Sequence, residues 1–181
     1  MSTKKELLTV IVPAYNVEAY VAQCLNSLWM QTMHNHKVII VDDGSKDQYT
    51  SQICKSYAKK YPEMFTYIYQ ENKGLGAARN TGLELVDTEY VGFLDSDDWL
   101  VPDYIEVVTE ELGKCHNVRP DLIFTLPIIY DSLTQNDAEW YDKKLFYQLF
   151  YSGKKSISSK EDNRLYDLEP NACRRIDRVE F

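Results

Sequence analysis

Apolar residues follow two alternating patterns along the first two thirds of the chain. Short apolar runs bounded by turn-forming residues are typical of strands buried in a parallel sheet, and apolar positions three and four residues apart are typical of helices. The predicted strands are Leu7–Val12, Lys37–Val41, Phe65–Gln70, Tyr90–Leu94 and Asp121–Thr125. The predicted helices between them cover Val17–Trp29, Gln48–Lys60, Gly76–Leu85 and a segment that begins at Pro102. This alternation predicts right-handed crossovers and a Rossmann-like α/β fold with a mostly parallel central sheet flanked by helices.

The pattern changes after Tyr130. A polar loop is expected over Asp131–Asp137, an aromatic-rich helix over Glu139–Tyr151, and a Ser/Lys-rich stretch follows at Gly153–Lys160. Phe146, Leu149 and Phe150 lie one turn apart in that helix, where they would cover the core or contact a partner.

Composition narrows the classes of protein to consider. With 181 residues and 44% hydrophobic content, the chain is the size of one domain, which we expect to cover residues 1–181. Its formal net charge of -8 argues against nucleic acid as a partner, because proteins that bind duplexes carry a surplus of Lys and Arg. An anionic ligand would need a bridging cation here.

Cysteine usage and hydropathy favour a cytoplasmic protein. Neither a zinc site nor a disulfide framework is indicated, because the cysteines are far apart and form no Cys-x-x-Cys pair. They are Cys24, Cys54, Cys115 and Cys173. Leu7–Val12 is too short for a signal-peptide core, and no apolar stretch approaches the ~20 residues that span a bilayer.

An acidic cluster, Asp95-Ser96-Asp97-Asp98, follows the predicted strand Tyr90–Leu94. Ligands bind beyond the carboxyl ends of strands in open α/β sheets, and carboxylate oxygens suit Mg²⁺ or Mn²⁺. Repulsion between such close carboxylates is relieved by a divalent cation. The alternative is an acidic turn that only caps the helix near Pro102.

A second acidic pair, Asp42-Asp43, follows the strand Lys37–Val41 and precedes Gly44-Ser45. One interpretation is an ordinary Asp-Gly turn in which Ser45 or Asp47 caps the next helix. That interpretation accounts less well for two consecutive aspartates. A carboxylate there is able to accept hydrogen bonds from a uracil ring N–H or a ribose hydroxyl.

The segment Asn72–Asn80 contains Gly-x-Gly, but Arg79 stands where a dinucleotide-binding motif has its third glycine. A Rossmann dehydrogenase is therefore not expected. Arg79 is suited either to contact a diphosphate or to hold an aspartate in place. Histidines with neither metal-type nor triad spacing are expected at the surface: His34, His36 and His116.

Four motifs in this order resemble those of the family-2 glycosyltransferases. They are Val10–Asn16, Val41–Ser45, Asn72–Gly82 and Phe93–Trp99, and the resemblance covers residues 7–115. It implies the GT-A fold, a UDP-sugar donor, a Mn²⁺ or Mg²⁺ ion, and transfer with inversion to a carbohydrate or lipid-linked acceptor. It also implies bacterial polysaccharide or cell-envelope glycan synthesis, with the full-length protein at the inner face of the membrane.

The resemblance also implies residue roles. Pro13 and Tyr15 would line the base pocket, Tyr15 would stack on uracil, and Asp43, or Asp42, would hydrogen-bond the base. Asp97 and Asp98 would be the catalytic residues that bind the metal and the ribose. Further contacts to the nucleotide sugar are expected from Ala14, Asn72, Gly74, Arg79, Asp95 and Ser96.

The chain departs from the family pattern in one respect. Family members use a downstream aspartate, often in a Glu-Asp pair, as the general base for the acceptor hydroxyl. Glu161-Asp162 has these letters, but Asn171–Arg178 resembles the segment that precedes the base. We expect a donor-binding half at 7–115, the start of an acceptor half at 116–181, and the base outside this chain.

Two other function classes compete with this interpretation. The missing base would also fit a non-catalytic nucleotide-sugar-binding domain or fragment. A nucleotidyltransferase would carry a Gly-rich, Arg-bearing loop after its first strand, where this chain has Pro13–Asn16.

Overall fold

The computed structural model of the chain describes residues 6–114, 122–125, 129–131, 136–138, 147–150 and 174–178. These residues fall into two compact units, one formed by residues 6–114 and one by the strands between residues 122 and 178. Within them, no helix combines the length and the apolar character needed to cross a membrane.

The first unit is a four-stranded parallel sheet flanked by helices. Its elements are β1 Leu8–Ala14, α1 Val21–Trp29, β2 His36–Asp43, α2 Thr50–Lys60, β3 Phe65–Gln70, α3 Leu75–Leu83, β4 Tyr90–Phe93 and α4 Tyr104–Lys114. The strands lie in the order β3-β2-β1-β4, and all three pairings are parallel. The predicted Rossmann-like arrangement is confirmed, with element ends shifted by at most four residues.

Strand order reverses at β1, because the chain runs from β1 outward to β3 and then returns to the other side of β1 as β4. A crevice forms at such a switch point, beyond the carboxyl ends of the strands. The pairing of β1 with β4 ends at Ile11 and Phe93, whereas β1 continues alongside β2 to Ala14. Pro13, which has no amide hydrogen, lies in this last stretch opposite Val41.

The core on one face of this sheet is formed with α3. Alternate strand residues point to the same face, which brings Ile11, Ile39 and Val41 together. They are buried with Ala78 of α3 and with Val86 and Val91. α2 packs against β2, β3 and α1.

The second unit departs from the sequence predictions. β5 Leu122–Thr125, a predicted strand, pairs antiparallel with β8 Tyr147–Phe150 and β9 Arg174–Arg178. The prediction of a helix over Glu139–Tyr151 is wrong where it can be tested, since Tyr147–Phe150 is a strand. Short aromatic runs fit both helical and strand periods, and pairing with β5 decides between them.

The prediction of a loop over Asp131–Asp137 is wrong at both of its ends. Asp131 ends β6 Ile129–Asp131, and Asn136 begins β7 Asn136–Ala138, which pairs antiparallel with β6. Several predictions fall outside the described residues: those for 139–146, 151, 153–160, His116, Glu161-Asp162 and 171–173.

The histidine prediction is half right. His34 is exposed, but His36 is only 3% exposed because it begins β2 opposite Leu8 of β1. Burial lowers the pKa of His36 to about 4, which keeps the ring neutral near pH 7.

Gly82 lets α3 approach β1 closely. A Cβ added at Gly82 would lie 2.6 Å from Cγ2 of the fully buried Ile11. We expect Gly82→Ala to lower the free energy of unfolding by about 1–3 kcal/mol through overpacking. Urea denaturation of the full chain measures the change.

Gly76→Ala is the matched control in the same helix, because a Cβ at Gly76 meets no atom within 4 Å. It should leave stability unchanged or raise it by up to about 1 kcal/mol through helix propensity. Equal effects of the two substitutions would contradict the packing argument.

Candidate functional site

The predicted site residues gather at the carboxyl edge of the parallel sheet. Pro13 and Ala14 end β1 in buried positions, and Tyr15 follows with 43% of its surface exposed. Asp42 and Asp43 end β2, and the remaining members follow β3 and β4: Asn72, Gly74, Arg79, Asp95, Ser96, Asp97 and Asp98. These loops border the crevice beside β1.

Asp43 holds the start of α3. Its carboxylate is 3% exposed and accepts hydrogen bonds from three donors. Oδ1 accepts hydrogen bonds from Nε2 of Gln70 at 2.7 Å and from the amide of Lys73 at 2.8 Å. Oδ2 accepts a hydrogen bond from the amide of Gly74 at 2.8 Å. A carboxylate at the positive end of a helix is electrostatically favourable.

The loop after β2 touches the loop after β3 through backbone. Gly44 has φ +73°, and a Cβ there would lie 2.7 Å from the amide nitrogen of Asn72. Both the left-handed conformation and the close contact require glycine. Gly44 therefore keeps Asp43 within reach of Lys73 and Gly74.

Asp42 points to the opposite face of the sheet, as strand alternation requires. It is fully buried, and its oxygens accept from the Ser45 amide at 2.9 Å, the Tyr67 hydroxyl at 2.8 Å and the Ser51 hydroxyl. Burial alone raises the pKa of Asp42, but the bonds from Ser51, Ser45 and Tyr67 outweigh it and hold the pKa below the ordinary 3.8.

The pKa of Tyr67 shifts in the opposite direction from that of Asp42. Burial and the hydrogen bond to the Asp42 carboxylate raise its pKa, so that the hydroxyl stays protonated as a donor. Asp42 thereby links β2, α2 and β3.

Asn16 connects the loops that follow β1 and β2. Its backbone adopts φ 50°, and its Oδ1 accepts the amides of Lys46 at 2.7 Å and Asp47 at 3.2 Å. The Asn16 amide donates to Oγ of Ser45 at 3.2 Å. Tyr15 is therefore presented at the crevice by a loop fixed on both sides.

The acidic segment after β4 is held partly by Arg79. Nη2 of Arg79 lies 2.7 Å from Oδ1 of Asp95, and the guanidinium lies 5.7 Å from the centre of the Phe93 ring. Of the two roles considered for Arg79, the ion pair with an aspartate is thus formed. The Asp98 amide donates to the Asp95 carbonyl at 3.0 Å, which closes a turn over Ser96 and Asp97.

Helix α1 and the start of α4 anchor the same segment. Gln31 donates from Nε2 to the Val101 carbonyl at 2.8 Å and accepts the Ile105 amide at 2.9 Å. Oγ of Ser27 accepts the Leu100 amide at 3.0 Å. These side chains fix where the aspartates emerge from the sheet.

The exposed carboxylates of Asp97 and Asp98 suit a metal ion whose other ligands come from phosphate and water, rather than a metal site built from protein ligands alone. Among the described side chains, no group of three or more His, Cys, Asp or Glu is arranged to hold an ion. Asp97 forms no ion pair with a side chain of residues 6–114. Mg²⁺ and Mn²⁺ commonly take one or two protein carboxylates and complete their shell with phosphate oxygens and water.

Several residues that shape this edge were not found from the sequence. They are Asn16, Ser27, Gln31, Ser51, Tyr67, Gln70 and Thr81. Most bond partners that lie 25 or more residues away, so no local spacing marks them. Asn16 alone had a local signal, because asparagine tolerates the left-handed conformation.

Comparisons with known proteins agree with this geometry. A sequence model described as Glycosyl transferase family 2 matches residues 9–156. The glycosyltransferase GlyA of Streptococcus pneumoniae serotype 4 is 47% identical over 105 residues, 58% of this chain and 15% of GlyA. The minor teichoic acid biosynthesis protein GgaB of Bacillus subtilis is 42% identical over 124 residues, 67% of this chain and 13% of GgaB.

A solved structure resembles the chain as well. TarS 1-349 of S. aureus, crystallised in complex with UDP-GlcNAc, matches with a TM-score of 0.57 at 33% identity, covering 64% of this chain and 33% of that one. This likeness and the parallel sheet confirm the GT-A fold that the motifs imply. The chain spans a third or less of each of these relatives.

The pKa of Asp42 generates a test. Because its folded pKa lies below 3.8, the charged carboxylate stabilises the fold above that pH, and the contribution is lost as pH falls through the folded pKa. We expect Asp42→Asn to cost about 1–3 kcal/mol at pH 7, and the deficit against wild type to shrink near pH 3. Denaturant titrations at both pH values measure it.

Asp97→Asn is the control, because Asp97 is exposed and unpaired among residues 6–114. It should leave the unfolding free energy within about 0.5 kcal/mol of wild type at pH 7. An Asp42→Asn deficit that is the same at pH 7 and pH 3 would refute the role of the charge.

Proposed function

Because the chain belongs to glycosyl transferase family 2, we propose that it carries the donor half of an enzyme that moves a sugar from a UDP-sugar to an acceptor hydroxyl. The observation that carries this proposal is the meeting of Tyr15, Asp43 and the Asp95–Asp98 segment at the switch point of the sheet. The TarS structure, which matches at 33% identity, holds UDP-GlcNAc.

The nucleobase contacts Tyr15 and Asp43 in this proposal. Tyr15 is 43% exposed on a loop fixed by Asn16, which suits stacking on a flat ring. Asp43 receives three hydrogen bonds and retains one of the roughly four acceptor positions of a carboxylate for a ring N–H. Asp42 is fully buried and bonded to Ser45, Ser51 and Tyr67, so its contribution is structural.

The diphosphate lies near Asp97 and Asp98. Both carboxylates are exposed at the end of β4 and would hold Mn²⁺ or Mg²⁺ together with phosphate oxygens. When bound, the cation neutralises charge on the departing diphosphate. The ion pair of Arg79 with Asp95 fixes the turn that presents these carboxylates.

Transfer proceeds with inversion in this proposal. The oxygen of the acceptor hydroxyl bonds to the anomeric carbon as the bond from that carbon to the diphosphate breaks, and a general base takes the hydroxyl proton. The protein groups described above bind and orient the donor, which supplies part of the rate acceleration by restricting its motion. The acceptor belongs to a bacterial polysaccharide or envelope glycan. The name of the 42% identical GgaB, a teichoic acid biosynthesis protein, supports that setting.

Ligand-dependent unfolding tests the donor site. We expect UDP with Mn²⁺ to raise the unfolding midpoint of the full chain by roughly 5–11 °C at about 100 times the dissociation constant, and UDP without Mn²⁺ to raise it less. Uridine, which lacks the diphosphate, should give a small rise that does not depend on Mn²⁺. No rise with UDP and Mn²⁺ would contradict the proposal.

The double substitution Asp97→Ala with Asp98→Ala should abolish the Mn²⁺-dependent part of the rise and keep the response to uridine. Glu63→Ala is the matched control, because Glu63 is an exposed carboxylate before β3 at the opposite end of the sheet. If the control lost the Mn²⁺ effect as strongly as the double variant, Asp97 and Asp98 would not be the metal ligands.

A further inference from the structure

Two side chains behind Asp43 form a hydrogen-bonded chain with it. The Thr81 hydroxyl of α3 donates to Oε1 of Gln70 at 2.6 Å, and Nε2 of Gln70 donates to Oδ1 of Asp43 at 2.7 Å. Gln70 ends β3 and Asp43 ends the neighbouring β2. The chain of bonds thus crosses from helix to sheet beneath the proposed base pocket.

The donor and acceptor of each of these hydrogen bonds follow from the charge on Asp43. An ionised carboxylate only accepts, so the amide of Gln70 has to turn its NH₂ group toward Asp43. Its carbonyl oxygen then faces Thr81, whose hydroxyl donates to it. Removing the hydroxyl leaves that carbonyl without its partner and frees the amide to turn its oxygen toward Asp43, where two acceptors repel.

We propose that Gln70 and Thr81 are positioning residues that aim the remaining acceptor of Asp43 at the nucleobase and thereby set base selectivity. This inference rests on the proposed function of the site. A base with a ring N–H, such as uracil, donates to the carboxylate. Cytosine presents an unprotonated ring nitrogen at the same position, and its lone pair repels the carboxylate. A change in the orientation of the Asp43 carboxylate therefore weakens UDP binding more than CDP binding.

The first experiment compares wild type, Thr81→Val and Thr81→Ser by calorimetric titration of the full chain with UDP and with CDP, each with Mn²⁺. Val keeps the shape of Thr without its hydroxyl, and Ser keeps the hydroxyl. We expect Thr81→Val to lower the UDP-to-CDP affinity ratio about tenfold, the effect of one lost hydrogen bond, and Thr81→Ser to restore it. General loosening of the site would weaken both nucleotides equally.

The second experiment uses Gln70→Glu and pH. At pH 8 the introduced carboxylate is charged and repels Asp43, so UDP affinity should fall at least tenfold relative to wild type at the same pH. As pH falls toward 5 the introduced group takes up a proton and donates to Asp43, because the neighbouring charge raises its pKa. The deficit against wild type should then narrow.

The outcomes separate this inference from the proposed function. If wild type binds no UDP, the proposed function fails and the inference with it. If wild type binds UDP but Thr81→Val keeps the wild-type preference, the inference alone is overturned. Should Thr81→Val not fold, Gln70→Glu decides by itself: a UDP deficit that does not change between pH 8 and pH 5 overturns the inference.

Discussion

Two adjacent carboxylates end β2, and strand alternation sends them to opposite faces of the sheet, where both are buried. A buried charge is tolerated only when donors surround it. Asp42 takes its donors from Ser45, Ser51 and Tyr67, and Asp43 takes its donors from Gln70, Lys73 and Gly74. The loops after β2 and β3 are therefore fixed by the need to satisfy two charges.

This requirement fixes much of the carboxyl edge by hydrogen bonds within the protein itself. The loop after β1 joins the same arrangement through Asn16. Ser27 of α1 and Gln31, two residues beyond that helix, hold the segment after β4. In the proposed function, the protein itself supplies the bonds that hold these loops, so less of the binding energy of a donor molecule is lost as entropy. Tyr15, Asp97 and Asp98 are exposed at this edge.

The sequence predicted the first unit well because each of its elements has a clear period, and every strand is bounded by turn-forming residues. It located Asp42, Asp43 and Asp95–Asp98 for the same reason. Tyr67 and Gln70 were missed because they bond Asp42 and Asp43 from 25 and 27 residues away. Ser51 and Thr81 were missed because ordinary polar residues carry no local signal. His36 and Tyr147–Phe150 were misjudged because pairing with a neighbouring strand, which no local pattern encodes, sets their environment.

Pro13 has a consequence for the pairing of β1 with β4. If β4 continued past Phe93 alongside β1, it would meet an imino acid that offers no hydrogen to a new ladder bond. Further pairing of the two strands is therefore disfavoured, and Asp95–Asp98 follow β4 without pairing to β1. An imino acid in a central strand thus acts as a terminator of strand pairing on the side of β1 that faces β4.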